Sequence, residues 1–538
     1  MPRLAAIDVG TNSIRMLVVN IDPENYSFSV ISNRKQVVRL GEGEYAHNRM
    51  TDEAMDRAIT VIKLFAEVAR GFDTDEIVAT TTSAVREADN QQDFLERVRR
   101  ESGLELQVIS GLEEARLVYL GVASGSTLSG KRALFIDVGG GSTELIVGDR
   151  QQHYHLESLK LGTIRLTNRF FGDGHAAVSK KKYALLQEYI RGVAVHAARK
   201  ARNVGFEMAI GSSGTMINLG EMVSALRGDN LNFIRQYPVP LKDLIRVREM
   251  LCKAPLEERR KLPGIKPERA DIMIAGVAVL ETLAEILEVE EIHVSESGLR
   301  EGLVVDWILK DQEARHLYRA VSPRKRSVLQ LARACNYEIG HCEQVRMMAL
   351  SLFDQLWELG LHRMDRHARE LLEYSAYLHD VGFFISHTNH HHHAYYIIRH
   401  SELLGFNDRE QAILANLALY HRKSVPKKKH GNFSELDSEA RELVEKLAAI
   451  LRICEGLDRS HLSLVKDLKL SLSPENMLTM TLVSDTDCQL EIWGVESQIP
   501  VFEQVYGVKL KVAVMRPSAP EDRGPEESDD SMGQAAAG

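Results

Sequence analysis

The stretch LFIDVGGGSTEL (Leu134–Leu145) repeats the grammar of LAAIDVGTNSIRMLVV (Leu4–Val19): an apolar run ending in Asp, then glycine, then small polar residues, then a second apolar run. Nothing else in the chain limits the fold so strongly. Val/Ile-rich runs bounded by glycine read as strands, so each copy is a strand, a turn and a strand. Glycine tolerates positive φ and lets a ligand approach the backbone closely. Successive N–H groups in such a turn make an anion-binding concavity. The carboxylate would repel a bare phosphate, so the combination calls for a cation such as Mg²⁺ between them. Thr11, Asn12 and Ser13, and in the second copy Ser142 and Thr143, add neutral donors. Either turn alone is explained by a plain hairpin. Two copies, each opening a domain-sized block, predict a two-walled phosphate cleft. A third turn, AIGSSGT (Ala209–Thr215), again follows an apolar strand and extends the pattern.

Around these turns the first 310 residues alternate short strand-like runs with longer amphipathic segments. The expected strands include Ala5–Val9, Arg15–Ile21, Ser27–Arg34, Ile77–Thr81, Leu106–Ile109, Ala133–Asp137 and Glu144–Gly148. This grammar predicts α/β domains over 1–127 and 128–310. From 311 to 461 apolar residues recur at helical spacing, as in VRMMALSLFDQLWELGL (Val345–Leu361), which predicts an all-α domain. Residues 462–515 return to strand-like runs (DLKLSLS, MLTMTLVS, VKLKVAV) and read as a small α/β module. The polar, Pro/Gly-rich tail 516–538 is expected to be disordered.

Charge and cysteine usage exclude several function classes. With a net charge of −9 no global basic field points to nucleic acid, so a polyanionic ligand needs a local cationic groove. The runs SKKKY (Ser179–Tyr183), SPRKR (Ser322–Arg326) and HRKSVPKKKH (His421–His430) are candidates for it, or simply solvated surface. The five cysteines include no CxxC pair, which argues against a zinc ribbon and a disulfide framework. No signal-peptide h-region and no membrane-spanning run are expected, making a reducing cytoplasm the default location. GSTLSGKR (Gly125–Arg132) has P-loop spacing, but Arg132 replaces the required Ser/Thr and the stretch precedes a strand rather than following one.

The motifs AIDVGTNS, FIDVGGGSTEL and AIGSSGT resemble the phosphate and adenosine motifs of the actin-like ATPase and sugar-kinase superfamily, with its two ribonuclease H-like domains. Within it, TTTSAVREADN (Thr80–Asn90), VISGLEEARLVYLGV (Val108–Val122) and SESGLREGLV (Ser295–Val304) resemble the exopolyphosphatase / guanosine pentaphosphate phosphatase family. On residue types alone, Glu113 and Glu114 complement the dipole of a helix N-terminus. The resemblance instead implies that Glu114 is the general base that deprotonates water for in-line attack on a terminal phosphoryl group. It further implies that Asp137 and Glu144, with Asp8 nearby, hold or position metal and water. The implied phosphate-binding set is Gly10, Thr11, Asn12, Ser13, Gly139, Gly140, Gly141, Ser142 and Gly214. Mg²⁺ is the expected cofactor, with K⁺ as a second cation. Arg86 is the cation expected on substrate, since guanidinium grips phosphate bidentately and never deprotonates; Arg15 and Arg300 are weaker candidates of the same kind.

In the helical segment His341, the pair His379–Asp380 and Asp458 stand in the order of the HD phosphohydrolase superfamily, and that resemblance implies a second divalent-metal site. The internal SHTNHHHHAYY (Ser386–Tyr396) either binds metal or lines a basic wall with His421, Arg422 and Lys423. With Lys427, Lys428 and Lys429 these residues are expected to form a distal polyanion groove, which a homodimer would lengthen. The leading expectation is hydrolysis of terminal phosphates from inorganic polyphosphate, ahead of guanosine pentaphosphate. Other readings are a kinase on the same scaffold, a guanosine tetra- or pentaphosphate sensor, and a catalyst working at the helical metal site.

Overall fold

The computed structural model describes residues 2–22, 27–42, 48–128, 130–172, 175–229, 231–310, 322–401 and 403–515. The tail expected to be disordered lies outside the described residues. The chain forms two compact units.

Unit 1 comprises residues 1–334 and 400–412 and contains two sheets. In the first, β1 (Arg3–Val9), β2 (Ser13–Asp22), β3 (Ser27–Val37), β4 (Glu76–Thr81) and β5 (Gln107–Val108) lie in the order β3-β2-β1-β4-β5. The β1–β2 and β2–β3 pairs are antiparallel, and β1–β4 and β4–β5 are parallel. The second sheet contains β6 (Ala133–Val138), β7 (Thr143–Gly148), β8 (His153–Leu159), β9 (Met208–Ser212), β10 (Pro238–Pro240) and β11 (Glu291–Val294). Its order β8-β7-β6-β9-β11 repeats the first with the same senses, and β10 adds an antiparallel edge. This doubled topology resembles the actin-like fold.

Both faces of β1 are buried, which is why it is apolar without a break rather than alternating. Ala5, Ile7 and Val9 pack with the helix Asp52–Gly71, while Leu4 and Ala6 pack with the helix Leu299–Ile308. The strand therefore runs at fixed height through the core and delivers Asp8 to its C-terminal end. The second sheet buries Leu134, Ile136 and Val138 against the helix Met273–Leu287 in the same way, delivering Asp137.

Unit 2 comprises residues 335–399 and 413 onward. It contains the helices Ile339–Glu358, Arg366–Leu378, His390–His400 and Ser438–Gly456, with the later turns of Asp408–Tyr420. A three-stranded sheet follows, of order β12 (Asp467–Leu472), β13 (Met477–Val483) and β14 (Lys509–Met515). No described helix is long and apolar enough to cross a membrane.

Candidate active site

The two Asp-Gly turns are built alike. Gly10 N–H donates to Ser13 O at 3.2 Å, and Gly139 N–H donates to Ser142 O at 2.9 Å. In one hairpin Asp8 stands opposite Arg15, and in the other Asp137 stands opposite Glu144. The duplication therefore keeps the geometry and changes the charge. The turns face each other across a cleft of about 850 Å³. At Gly140 a Cβ would come within 2.9 Å of the Thr11 Cβ, so glycine is what lets the walls approach. Asn12 O accepts from Val38 N–H and Arg39 N–H at 3.1 and 2.9 Å, and Gly140 O accepts from Ile164 N–H at 2.9 Å, pinning both turns from behind.

Gly10, Thr11, Asn12, Ser13, Gly139, Gly140, Gly141, Ser142 and Gly214 all line this cleft, with Asp8, Glu114 and Asp137. Glu114 is placed by its helix: Ser110 caps the N-terminus of Gly111–Gly125, accepting from Glu113 N–H at 3.1 Å, so the next residue turns inward and is buried. Arg86 Nη1 donates to Glu114 Oε2 at 3.1 Å and to Ile109 O at 2.8 Å. Glu144 does not line the cleft; it is 1% exposed behind the wall, its Oε1 accepting from the Ser158 hydroxyl at 2.9 Å.

Burial drives the electrostatics. It raises the Glu114 carboxyl to about 7 against the opposing Arg86, with the Asp8 and Asp137 charges adding to the rise. Asp8 is raised to about 6 by burial, with Arg15 and Arg300 pulling it down. Burial also raises Asp137, and raises Glu144 well above its ordinary value. A concentration of buried carboxylates demands positive charge. Asp8 Oδ1 is buried and takes no hydrogen bond. Among the described residues no three of these carboxylates gather within 4.8 Å of one another. An all-oxygen lining in which no three carboxylates gather fits a cation held by one or two carboxylates plus waters and phosphate oxygens, the habit of Mg²⁺.

Sequence reasoning missed Arg269. It lines the cleft and donates to Thr215 Oγ1 at 3.0 Å. A Cβ on Gly214 would meet its Nη1 at 2.8 Å and Arg15 Nη2 at 3.4 Å, so two guanidinium groups close over this turn. Ser213, beside it, holds a left-handed φ of 83°, the kind of backbone strain kept at functional sites. Arg269 comes from a single 3₁₀ turn, Pro267–Arg269, which carries no motif. A second cavity of about 2000 Å³ adjoins the cleft, sharing Arg15, Arg269 and Arg300 with it and adding Lys35, Arg235 and Lys266.

In unit 2, His341, His379 and Asp380 come together with Glu455, which sequence reasoning did not include. Asp458 instead accepts from His341 Nδ1 at 2.9 Å. Glu455 lies three residues before Asp458, a helical spacing that could have drawn attention to it. His421, expected in a surface groove, is 1% exposed and faces Asp380 at 3.5 Å. That expectation is corrected: His421 directly follows the helix Asp408–Tyr420, and its Nδ1 lies 2.6 Å from Ala418 O, which holds the ring in the core. Arg422 is half-buried, while Lys423, Lys427, Lys428 and Lys429 are exposed.

Two facing glycine turns, buried carboxylates and clustered guanidinium groups on a doubled α/β fold define a phosphoryl-transfer protein of the two-lobed, actin-like class. The profile of the Ppx/GppA phosphatase family matches residues 17–311, and that of Ppx/GppA phosphatase domain III matches residues 323–492. The chain belongs to the Ppx/GppA phosphatase family and is a hydrolase. Among solved structures it is similar to an exopolyphosphatase from Cytophaga hutchinsonii, with 29% identity, 57% of this chain and 98% of that one covered, and a TM-score of 0.54. It is also similar to the Aquifex aeolicus Ppx/GppA family member, with 27% identity, 57% and 98% coverage and a TM-score of 0.48.

Proposed function

We propose that the protein is an exopolyphosphatase, removing terminal phosphoryl groups from inorganic polyphosphate. The observation that carries this reading is the continuity of the two-turn cleft with a cavity lined by Arg15, Lys35, Arg235, Lys266, Arg269 and Arg300. A terminal phosphoryl group seated between the turns leaves the rest of its chain facing those cations. Glu114, on the cleft wall, takes a proton from water as its oxygen attacks phosphorus, and the departing chain carries away the bridging oxygen. Arg86 holds the base in place. Backbone N–H groups of Gly10–Ser13 and Gly139–Ser142 receive the non-bridging oxygens. Asp8 and Asp137 are the residues that would hold Mg²⁺, which supplies charge neutralisation for the phosphoryl oxygens.

A second substrate is favoured by one feature of the same cavity. Its walls include Leu17, Phe28, Val30, Phe233 and Leu331, an apolar lining that polyphosphate does not need and a purine would use. Guanosine pentaphosphate is therefore the alternative, through the same γ-phosphate chemistry. Phosphate release with Mg²⁺, measured on long-chain polyphosphate and guanosine pentaphosphate, tests both. Phe233→Ala should depress release from the nucleotide alone. Absence of release from either substrate, or release unaffected by Glu114→Gln, would remove the proposal.

A further inference from the structure

We infer that Arg39 and Arg165 are positioning residues, each strapping one phosphate turn to the opposite wall of the cleft. The two arginines hold matching places in the doubled fold. Each follows the third strand of its sheet, β3 or β8, and passes behind its own turn. Val38 and Arg39 N–H groups both donate to Asn12 O, at 3.1 and 2.9 Å, and Ile164 and Arg165 N–H groups both donate to Gly140 O, at 2.9 and 3.3 Å. The approach at the second turn is close: a Cβ on Gly162 would come within 2.2 Å of Gly140 O. The backbone of each arginine is thereby fixed to its turn, and the side chain is left to reach outward.

Both side chains cross to the other wall. Arg165 Nε donates to Gly141 O at 2.8 Å while its Nη2 donates to Glu87 Oε1 at 3.0 Å. Glu87 lies between β4 and β5 and directly follows Arg86, which grips Glu114. Arg39 Nη1 donates to Asp271 Oδ2 at 2.7 Å and its Nη2 to Glu268 O at 3.3 Å. These acceptors lie between β10 and β11 and flank Arg269. Each strap thus ends beside an arginine of the far wall. Glu87 and Asp271 are half-buried, where a charge-assisted hydrogen bond is strong and directional. A guanidinium suits the task, because its planar fork holds two acceptors in one geometry and an ammonium does not. The straps fix different distances. Arg165–Glu87 ties the second turn to the Arg86–Glu114 pair, so it sets the separation between the phosphoryl seat and the base. Arg39–Asp271 ties the first turn to Arg269, so it sets where the cavity-side cation meets the substrate. The assignment rests on the roles proposed above for Glu114 and the cavity, and it separates kcat from KM.

The test is steady-state phosphate release by the full chain on short polyphosphate and on guanosine pentaphosphate. Glu87→Gln and Asp271→Asn are close in shape to the parent residues and leave each arginine's hold on its own turn in place. Glu87→Gln should lower kcat ~10-fold or more with a smaller change in KM, given the cost of misplacing reacting groups. Asp271→Asn should raise KM by a larger factor than it lowers kcat. Arg165→Lys, which keeps the charge and loses the fork, should lose as much kcat as Arg165→Gln. The double variant Glu87→Gln/Arg165→Gln should be no slower than Arg165→Gln alone, because the two residues act as one unit. Lys160, an exposed second partner 2.8 Å from Glu87, touches neither turn in this scheme, so Lys160→Gln should cost less than Glu87→Gln. Losses that multiply in the double variant, or a Glu87→Gln loss confined to KM, would overturn the inference. Should the Arg165 variants fail to fold, Glu87→Gln decides alone, and an unchanged kcat overturns it. Glu114→Gln, run alongside, keeps the two readings apart: full activity there removes the base, while the cycle at Glu87 and Arg165 still decides the strap.

Discussion

Arg86 Nη1 lies 3.1 Å from Glu114 Oε2, so the cation expected on the substrate also grips the proposed base. The contact sets both the direction and the basicity of the carboxylate. A base of pKa about 7 is half-protonated at neutral pH. The rate should therefore rise with pH through about 7 and level above it. Arg86 holds that pKa down, so Arg86→Ala should move the acidic limb of the kcat/KM profile to higher pH as well as lower its plateau. Glu114→Gln should abolish the limb and reduce kcat by at least ~10²-fold, with a smaller change in KM. A limb that stays in place in Arg86→Ala would show that the pair is not coupled in the working enzyme.

Burying that charge has a stability cost with a definite sign. The folded pKa lies above the ordinary value of 4.5, so folding favours the protonated form. The penalty is absent below about 4.5, grows as pH rises to about 7, and is constant beyond. In Mg²⁺-free buffer at pH 8, Glu114→Gln should be more stable than the parent by ~1–3 kcal/mol, given 1.36 kcal/mol per pKa unit. Thermal melts at pH 8 and pH 5 would check this: the gain should shrink at pH 5. An inactive yet more stable variant is the usual sign of a site that trades stability for function.

The approach of the walls at Gly140 gives a steric test. A Cβ there meets the Thr11 Cβ at 2.9 Å and Asn12 N at 3.4 Å, backbone and branch-point atoms that cannot swing aside. Gly140→Ala should therefore widen the cleft, lowering kcat/KM by ~10²-fold, since small misplacements of reacting groups are costly. Single-turnover phosphate release would locate the loss in the chemical step. A Gly214→Ala protein should behave differently, because the atoms it would meet first belong to the Arg269 guanidinium, the far end of a flexible side chain. Its loss should fall on KM.

What the sequence made legible was local. The turns at Asp8 and Asp137 show because strand, glycine and hydroxyl residues follow one another along the chain, and Glu114 because it opens a capped helix. Glu144 was visible as an acid but not as a buried one, since the strand period cannot say how deep a face lies. Arg269 and Arg15 meet over Gly214, across segments with no shared motif. His421 looked like part of a basic run, yet the chain leaving the helix Asp408–Tyr420 packs it into the core while Lys423 faces out. Neighbours in sequence take opposite fates where the chain leaves a helix, and only the packed partner decides which.

The exposed Lys427, Lys428 and Lys429 separate chain-length preference from chemistry. They are exposed cations of unit 2 and are not among the residues that line the cleft. Replacing all three by Gln should leave kcat on short polyphosphate unchanged and raise KM for long chains. The effect should be larger at low salt, where surface charges are less screened. Lys35 should respond differently: it lies in the cavity beside the cleft, with a pKa lowered to about 8 by burial and by Arg15 and Arg269. Its charge falls off above that pH, so in the parent KM should climb there for short and long chains alike, and Lys35→Gln should flatten that climb. Steady-state kinetics on chains of defined length at pH 7 and pH 9 distinguish the two. Equal losses for short and long chains in the triple variant would mean that the surface lysines do not touch substrate.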